Sequence, residues 1–215
     1  GWYSAALAVT PSRLSCDVVD VRGRVIGSVT AVRADLPPEA GAATRSLVDA
    51  AARDAGLRTT RVGDVVIGLP GSYDPGLDRV RLADGIPQWS RPGLRVAVLR
   101  ALPPGTTVVI ENDVNLAMVA ERATGATHGS AVTSLLWLAA GVGLATDLDG
   151  TLYRGAAGGA GEIGYIPVPS PATSGPGRGT TVDFQDTVGG AAVQRLAREH
   201  GISARRADLA VSRAV

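Results

Sequence analysis

A β-branched run, Val108-Val109-Ile110, stops at the polar group Glu111-Asn112-Asp113, and a helical pattern through Leu116, Met118 and Ala123 follows at once. Read as a buried strand, the run delivers Asn112 and Asp113 to its carboxyl end, where ligands of open α/β sheets sit. Asn offers a donor and an acceptor, and Asp a full charge or a base, so the pair suits a polyhydroxylated ligand. The same two side chains serve equally well as caps for the helix that follows. Two further candidates lie in glycine-rich surroundings. Gly71, after the apolar run Val65-Val66-Ile67-Gly68, lets backbone approach a ligand closely or simply makes a strand-to-turn exit. Glu162 stands in the densest glycine region, residues 155–165, as either a solvated loop charge or a ligand contact.

The elements that must position these residues read as alternating strands and helices. Residues 5–32 are strands: Leu14, Cys16 and Val18 alternate with polar partners, Val21-Arg22-Gly23-Arg24 makes a turn, and residues 25–32 run back. After Pro37-Pro38, residues 42–57 form an amphipathic helix with Leu47, Val48 and Ala51 on one face and Gly56 as its stop. Residues 64–68 are a buried strand, residues 80–82 pair in a hairpin, Trp89 lies in a loop as a packing anchor more often than a sugar platform, and residues 95–99 suggest a short helix. Beyond the central helix, Ser134-Leu135-Leu136-Trp137-Leu138 reads as another buried strand, and residues 144–152 as a hairpin turning at Asp149-Gly150. Residues 167–179, rich in Pro, Ser and Gly, read as a flexible loop. At the end, residues 191–200, Gly201 and a second helical run superficially resemble a DNA-reading helix-turn-helix, but such Ala/Arg helix pairs are common in plain helical layers.

Composition narrows the classes. A formal net charge of +1 gives no electrostatic reason for the chain as a whole to bind nucleic acid. Cys16 is the single cysteine, which excludes a disulfide framework and a thiolate metal cluster and fits a reducing cytoplasm. No apolar run reaches the length of a membrane span, and no signal peptide is visible. Gly1-Trp2-Tyr3 looks like the cut end of a longer chain.

Taken in order, Ile67-Gly68-Leu69-Pro70-Gly71, Glu111-Asn112-Asp113-Val114-Asn115, Gly141-Val142-Gly143, Tyr153-Arg154-Gly155 and Gly161-Glu162-Ile163-Gly164 resemble the ROK family, which joins bacterial sugar kinases to sugar-responsive repressors. The resemblance implies an α/β, two-lobed actin-like ATPase (ribonuclease H-like) fold of the sugar kinase type, with its C-terminal helical part missing. Residues 1–113 would be the N-terminal lobe and residues 114–215 a partial C-terminal lobe carrying the glycine-rich sugar loop and a degenerate zinc-motif loop at about 167–183. It implies that Asn112, Asp113 and Glu162 hold sugar hydroxyls, with Gly71 beside them. In kinases of the family the residue at Asp113 is the general base on the attacking hydroxyl, which suits phosphoryl transfer.

The departures from the family pattern bear on function. Where such kinases carry an Asp-x-Gly-x-Thr phosphate loop, this chain has Ala8-Val9-Thr10-Pro11-Ser12, with neither glycine and with a proline that lacks the N–H such a loop donates. Ser12, Gly141 and Gly143 are what remains of nucleotide-binding positions. Tyr165 replaces the zinc-ligating, sugar-contacting His, residues 174–183 contain no Cys, and Gln185 replaces the glutamate that closes the zinc motif. Tyr165 and Gln185 still offer hydrogen bonds to a hydroxyl. The expectation is a sugar-sensing effector domain of a regulator, without zinc and with no cofactor. ATP and Mg enter only in the alternative, an ATP-dependent hexose kinase with Asp113 as base. The expected partners are a sugar or sugar derivative, a second copy in a homodimer, and DNA through an N-terminal winged helix-turn-helix outside this sequence, with no membrane contact.

Overall fold

The computed structural model describes residues 2–83, 85–170 and 181–202. It divides into two compact units, one of Gly1–Ala117 with Gly155–Gly159, the other of Met118–Arg154 with Ala160–Val215.

The first unit is built on a five-stranded sheet. β1 (Tyr3–Val9), β2 (Arg13–Val19) and β3 (Val25–Val32) form an antiparallel meander, and β4 (Val62–Leu69) and β7 (Thr107–Asn112) add parallel strands, giving the order β3-β2-β1-β4-β7. Period-two alternation puts Leu7, Leu14, Cys16 and Val18 in the core, while β4, flanked on both sides, buries Val65, Ile67 and Leu69 as a nearly continuous apolar run. Cys16 is fully buried in the centre of this sheet, opposite Leu7 and Val29.

Helix α1 (Ala40–Asp54) presents Ala43, Leu47, Val48, Ala51 and Ala52 to β2 and β3. It lies close because Gly27 has no side chain: a Cβ there would come within 2.7 Å of Ala55. The helix stops where expected. Gly56 takes φ +68°, its N–H donates to Arg53 O at 3.0 Å and that of Leu57 to Ala52 O at 2.8 Å, satisfying two orphan carbonyls. A two-strand hairpin, β5 (Ser72–Asp74) and β6 (Arg79–Arg81), and helix α2 (Leu94–Ala101) complete this unit, with Trp89 buried in a short 3-10 turn. Asp78 ties hairpin to helix. Its carboxylate accepts the Tyr73 hydroxyl at 2.9 Å and the N–H groups of Arg95 and Val96 at 2.7 and 3.2 Å.

Helix α3 (Asp113–Thr124) follows β7 directly and runs from the first unit into the second. The second unit holds a three-stranded antiparallel sheet, β10-β9-β8, of β8 (Val132–Leu138), β9 (Val142–Leu148) and β10 (Thr151–Leu152). Asp149 and Gly150 both take positive φ (+48° and +82°), as the mirror-image turn of a tight hairpin requires. Asp147, 2% exposed, pairs with Arg122 at 2.7 Å and accepts Gly150 N–H at 2.8 Å.

Two expectations are corrected here. β8 is a strand but not a buried one: Val132, Leu136 and Leu138 are 68%, 54% and 64% exposed. Among the described residues it is an edge strand, paired only with β9. Residues 167–179 are not wholly loop, since β11 (Pro167–Pro169) pairs antiparallel with β12 (Thr181–Asp183), prolines being tolerated in an edge ladder; residues 171–179 lie outside the described residues. A short helix, α4 (Phe184–Val188), precedes α5 (Gly190–Glu199). The second half of the helix-turn-helix-like stretch also lies outside the described residues. No helix among the described residues is long and apolar enough to cross a membrane.

Candidate functional site

β1, β4 and β7 run parallel, so the turns after Val9, Leu69 and Asn112 leave the same edge of one sheet. At the end of β7 the polar residues are fixed in place. Asn112 Oδ1 accepts the N–H groups of Val114 and Asn115 at 2.8 and 3.1 Å, which is helix capping of α3. Its Nδ2 donates to Gly71 O at 3.0 Å and ties β7 to the turn after β4. Behind it, the buried Glu111 Oε1 accepts Asn112 N–H at 2.8 Å and Asn115 Nδ2 at 2.9 Å.

Asp113 is the first residue of α3. One of its oxygens accepts Val114 N–H at 2.9 Å, and the residue remains exposed. Packing around the carboxyl removes water from it and raises its pKa above the usual carboxylate value, opposed by the backbone N–H groups of Val114 and Asp113 itself. The result is a carboxylate at the surface with a raised proton affinity, held at a helix N-terminus.

Gly71 owes its identity to backbone geometry. It takes φ +95°, and a Cβ would stand 2.5 Å from Arg81 O and 2.8 Å from Leu82 O. Its carbonyl, the acceptor for Asn112, is therefore set by the close approach of the β6 exit.

The turn after β1 is of another kind. Thr10 N–H and hydroxyl both donate to Arg13 O at 2.9 and 2.8 Å, and Arg13 N–H returns to Thr10 Oγ1 at 3.0 Å. Ser12, exposed, accepts Arg33 N–H on its carbonyl at 2.9 Å. The Pro11 ring fills the space beside Gly85, where a Cβ would lie 3.0 Å from it. The turn is a tight hairpin closed by the hydroxyl and N–H of its own Thr10.

In the second unit, β8 and β9 are joined by a turn in which Ala139 N–H donates to Gly141 O at 3.0 Å, and Gly190 N–H, the start of α5, donates to Ala139 O at 2.8 Å. Gly143 lies on β9 opposite Trp137. Gln185, on α4, sits against this turn and against the 3-10 turn of residues 163–165: a Cβ would meet its Oε1 at 3.3 Å from Gly141 and 3.1 Å from Gly164. Glu162, partly exposed, precedes that turn and accepts Tyr165 N–H on its carbonyl at 3.3 Å. Gly161 packs so tightly on Leu144 O that no side chain fits there.

Gly71, Asn112, Asp113 and Ser12 thus share the first unit, and Gly141, Gly143, Glu162, Tyr165 and Gln185 the second. Glu111 and Asn115 belong to the family-like motif but carry no role in the sequence; their burial, which gives them one, is a tertiary fact. Among the described residues no group of three or more His, Cys, Asp or Glu side chains is arranged to hold a metal ion.

The ROK family model matches residues 17–208. A xylose repressor of Caldicellulosiruptor bescii is 32% identical over 124 residues, 57% of this chain and 26% of the repressor. The glucokinase of Streptomyces griseus, solved with glucose and AMPPNP, superposes with a TM-score of 0.70 at 27% identity, covering 93% of this chain and 61% of the kinase. A ROK family transcriptional regulator, a homologue of the E. coli Mlc protein, superposes with a TM-score of 0.72 at 19% identity, over 93% of this chain and 50% of the regulator. The chain therefore spans about a quarter of the curated relative and less than two thirds of these solved structures, and over that span it has the actin-like ATPase fold of the sugar kinases. Kinases and regulators alike are its relatives, and the chain belongs to the ROK family.

Proposed function

We propose that this chain is the sugar-binding effector domain of a ROK-type transcriptional regulator and transfers no phosphoryl group. One contrast carries the reading: at one sheet edge, the β7 end holds Asn112 and Asp113 in place, while the β1 end is a closed, proline-containing turn. Binding machinery is kept where phosphate machinery is not, the pattern of a binder without chemistry. The 32% identity to a xylose repressor supports the same direction.

In this reading Asp113 accepts sugar hydroxyls, Asn112 contributes through the amide hydrogen not given to Gly71, and Glu162, Tyr165 and Gln185 take other hydroxyls. Tyr165 and Gln185, in place of the family's His and Glu, change sugar preference and leave no zinc site. Ser12, Gly141 and Gly143 are remnants of nucleotide positions. A sugar that binds one conformation better than another shifts the equilibrium, and in a homodimer that shift reaches DNA through a winged helix-turn-helix outside this sequence.

A second reading, an ATP-dependent hexose kinase, is favoured by one observation. Packing around the Asp113 carboxyl raises its proton affinity, the direction a general base requires, at the residue that the family resemblance makes the base.

A thermal-shift screen of sugars and sugar phosphates, each with and without Mg-ATP, tests both. A ligand at about a hundred times its Kd adds roughly 2.7 kcal/mol, several degrees for a domain this size. A shift with one sugar that ignores ATP supports the sensor. ATP-dependent formation of a sugar phosphate, abolished by Asp113→Asn, overturns it in favour of the kinase.

A further inference from the structure

We infer that Glu111 and Asn115 are positioning residues for the ligand pair Asn112–Asp113, a role that rests on the sugar-binding reading above. Both are buried, Glu111 at 8% and Asn115 at 6% exposure. A carboxylate is an expensive group to bury, and it persists where it holds hydrogen bonds that nothing neutral and apolar supplies. Here Glu111 Oε1 accepts two: the backbone N–H of Asn112, and the side-chain amide of Asn115. Asn115 in turn donates its backbone N–H to Asn112 Oδ1.

The three residues close a ring of hydrogen bonds around the junction of β7 and α3. Asp113 is the one polar residue of the group whose side chain stands outside that ring, at the surface. With Glu111 fixing the Asn112 peptide and Asn115 fixing the first turn of the helix, the direction of the Asp113 carboxylate is set from behind. Neither Glu111 nor Asn115 is required to touch ligand for this. Their effect is on the angle and rigidity with which Asn112 and Asp113 meet it.

The acceptor, rather than the charge, is what the geometry uses, so Glu111→Gln and Glu111→Leu separate the two. Amide hydrogen exchange of the sugar-free protein reads positioning directly. In Glu111→Leu the Val114 and Asn115 amides exchange about tenfold faster or more, the scale of one lost hydrogen bond to a charged group, while the Val65 amide in β4 keeps its rate. In Glu111→Gln, whose Oε1 accepts the same two bonds, all three rates stay within about twofold of the parent. Calorimetric titration with D-xylose and with D-glucose then shows about tenfold weaker binding for Glu111→Leu and near-parental binding for Glu111→Gln. Should Glu111→Leu fail to fold, Asn115→Ala, which leaves the Asn112 bond intact, shows the same direction with a smaller size. Unchanged exchange at Val114 and Asn115 in both truncations overturns the inference, as does a Gln variant as impaired as the Leu one. Asp113→Ala is the separate control. If it leaves sugar affinity at the parental value, or the parent binds neither sugar, the sugar reading fails for these ligands while the exchange rates still decide what Glu111 holds.

Discussion

Two strand ends at one sheet edge have gone different ways. After β1, residues 10–13 turn the chain back within four residues, and Thr10 closes the turn with its own hydroxyl. After β7 the chain enters a helix, and Asn112 reaches outward to Gly71 in the neighbouring turn. Local hydrogen bonds close the first end, with one further bond from Arg33 N–H to the Ser12 carbonyl. The second end is completed by partners from another strand exit and from a buried acid, which makes it both more constrained and better able to present one carboxylate. A strand end tied by cross-connection is held from several sides, whereas a turn closed by its own side chain is held mainly from within.

On the proposed sugar-binding reading, the largest effect on this contrast should come from Asp113→Ala, with sugar affinity falling about a hundredfold by calorimetry, since charged hydrogen bonds contribute roughly 1.5–3 kcal/mol each. Thr10→Val on the other end should leave that affinity unchanged; a comparable loss there would break the comparison. Next in size is Gly71→Ala. A side chain at φ +95° against two carbonyls should lower stability by about 2–4 kcal/mol in denaturant titration, enough to loosen Asn112 as well. Asn112→Ala removes a helix cap and should cost about 1–2 kcal/mol in the same measurement.

The smallest effect is a gain. Asp113 has a folded-state pKa above its unfolded value, so its contribution to stability is full below the unfolded pKa and is lost as pH rises through the folded one. Asp113→Asn should therefore melt slightly higher than the parent at neutral pH, and the gap should close as the pH falls below the ordinary carboxylate range. Melting curves across that range check it. An Asp113 that is stabilising at neutral pH would contradict the loss of water around its carboxyl that raises its pKa.

Much of this was legible in the sequence, because period-two alternation in Leu14, Cys16 and Val18 and the helical spacing of Leu47, Val48 and Ala51 are direct consequences of one-sided burial. The Asp149-Gly150 turn was legible for a backbone reason, two positive φ values in succession. What failed, failed where tertiary context decides. Ser134-Leu135-Leu136-Trp137-Leu138 is apolar enough for a central strand, and nothing local tells that β8 pairs, among the described residues, with β9 alone. α4 is too short for its period to register, and Pro167 and Pro169 conceal a ladder in which they take part. At the candidate site the local motif pointed to Asn112 and Asp113 and left ligand contact and capping open together. The structure gives Asn112 the cap, and the cross-links from Gly71, Glu111 and Asn115 are long-range or buried facts that composition does not carry.

The single thiol of this chain has a practical consequence. Cys16 sits at the middle of the five-stranded sheet with no exposure, and burial pushes its pKa up to about 12, with the Asp17 charge adding to the rise. A thiol in that condition is inert towards alkylating reagents until the sheet opens. At mildly alkaline pH its rate of modification is therefore a clock for opening of the first unit, read at one known atom without any engineered probe. Any small molecule that binds only the closed form should slow that clock in proportion to its occupancy, so the protein carries its own reporter of ligand binding.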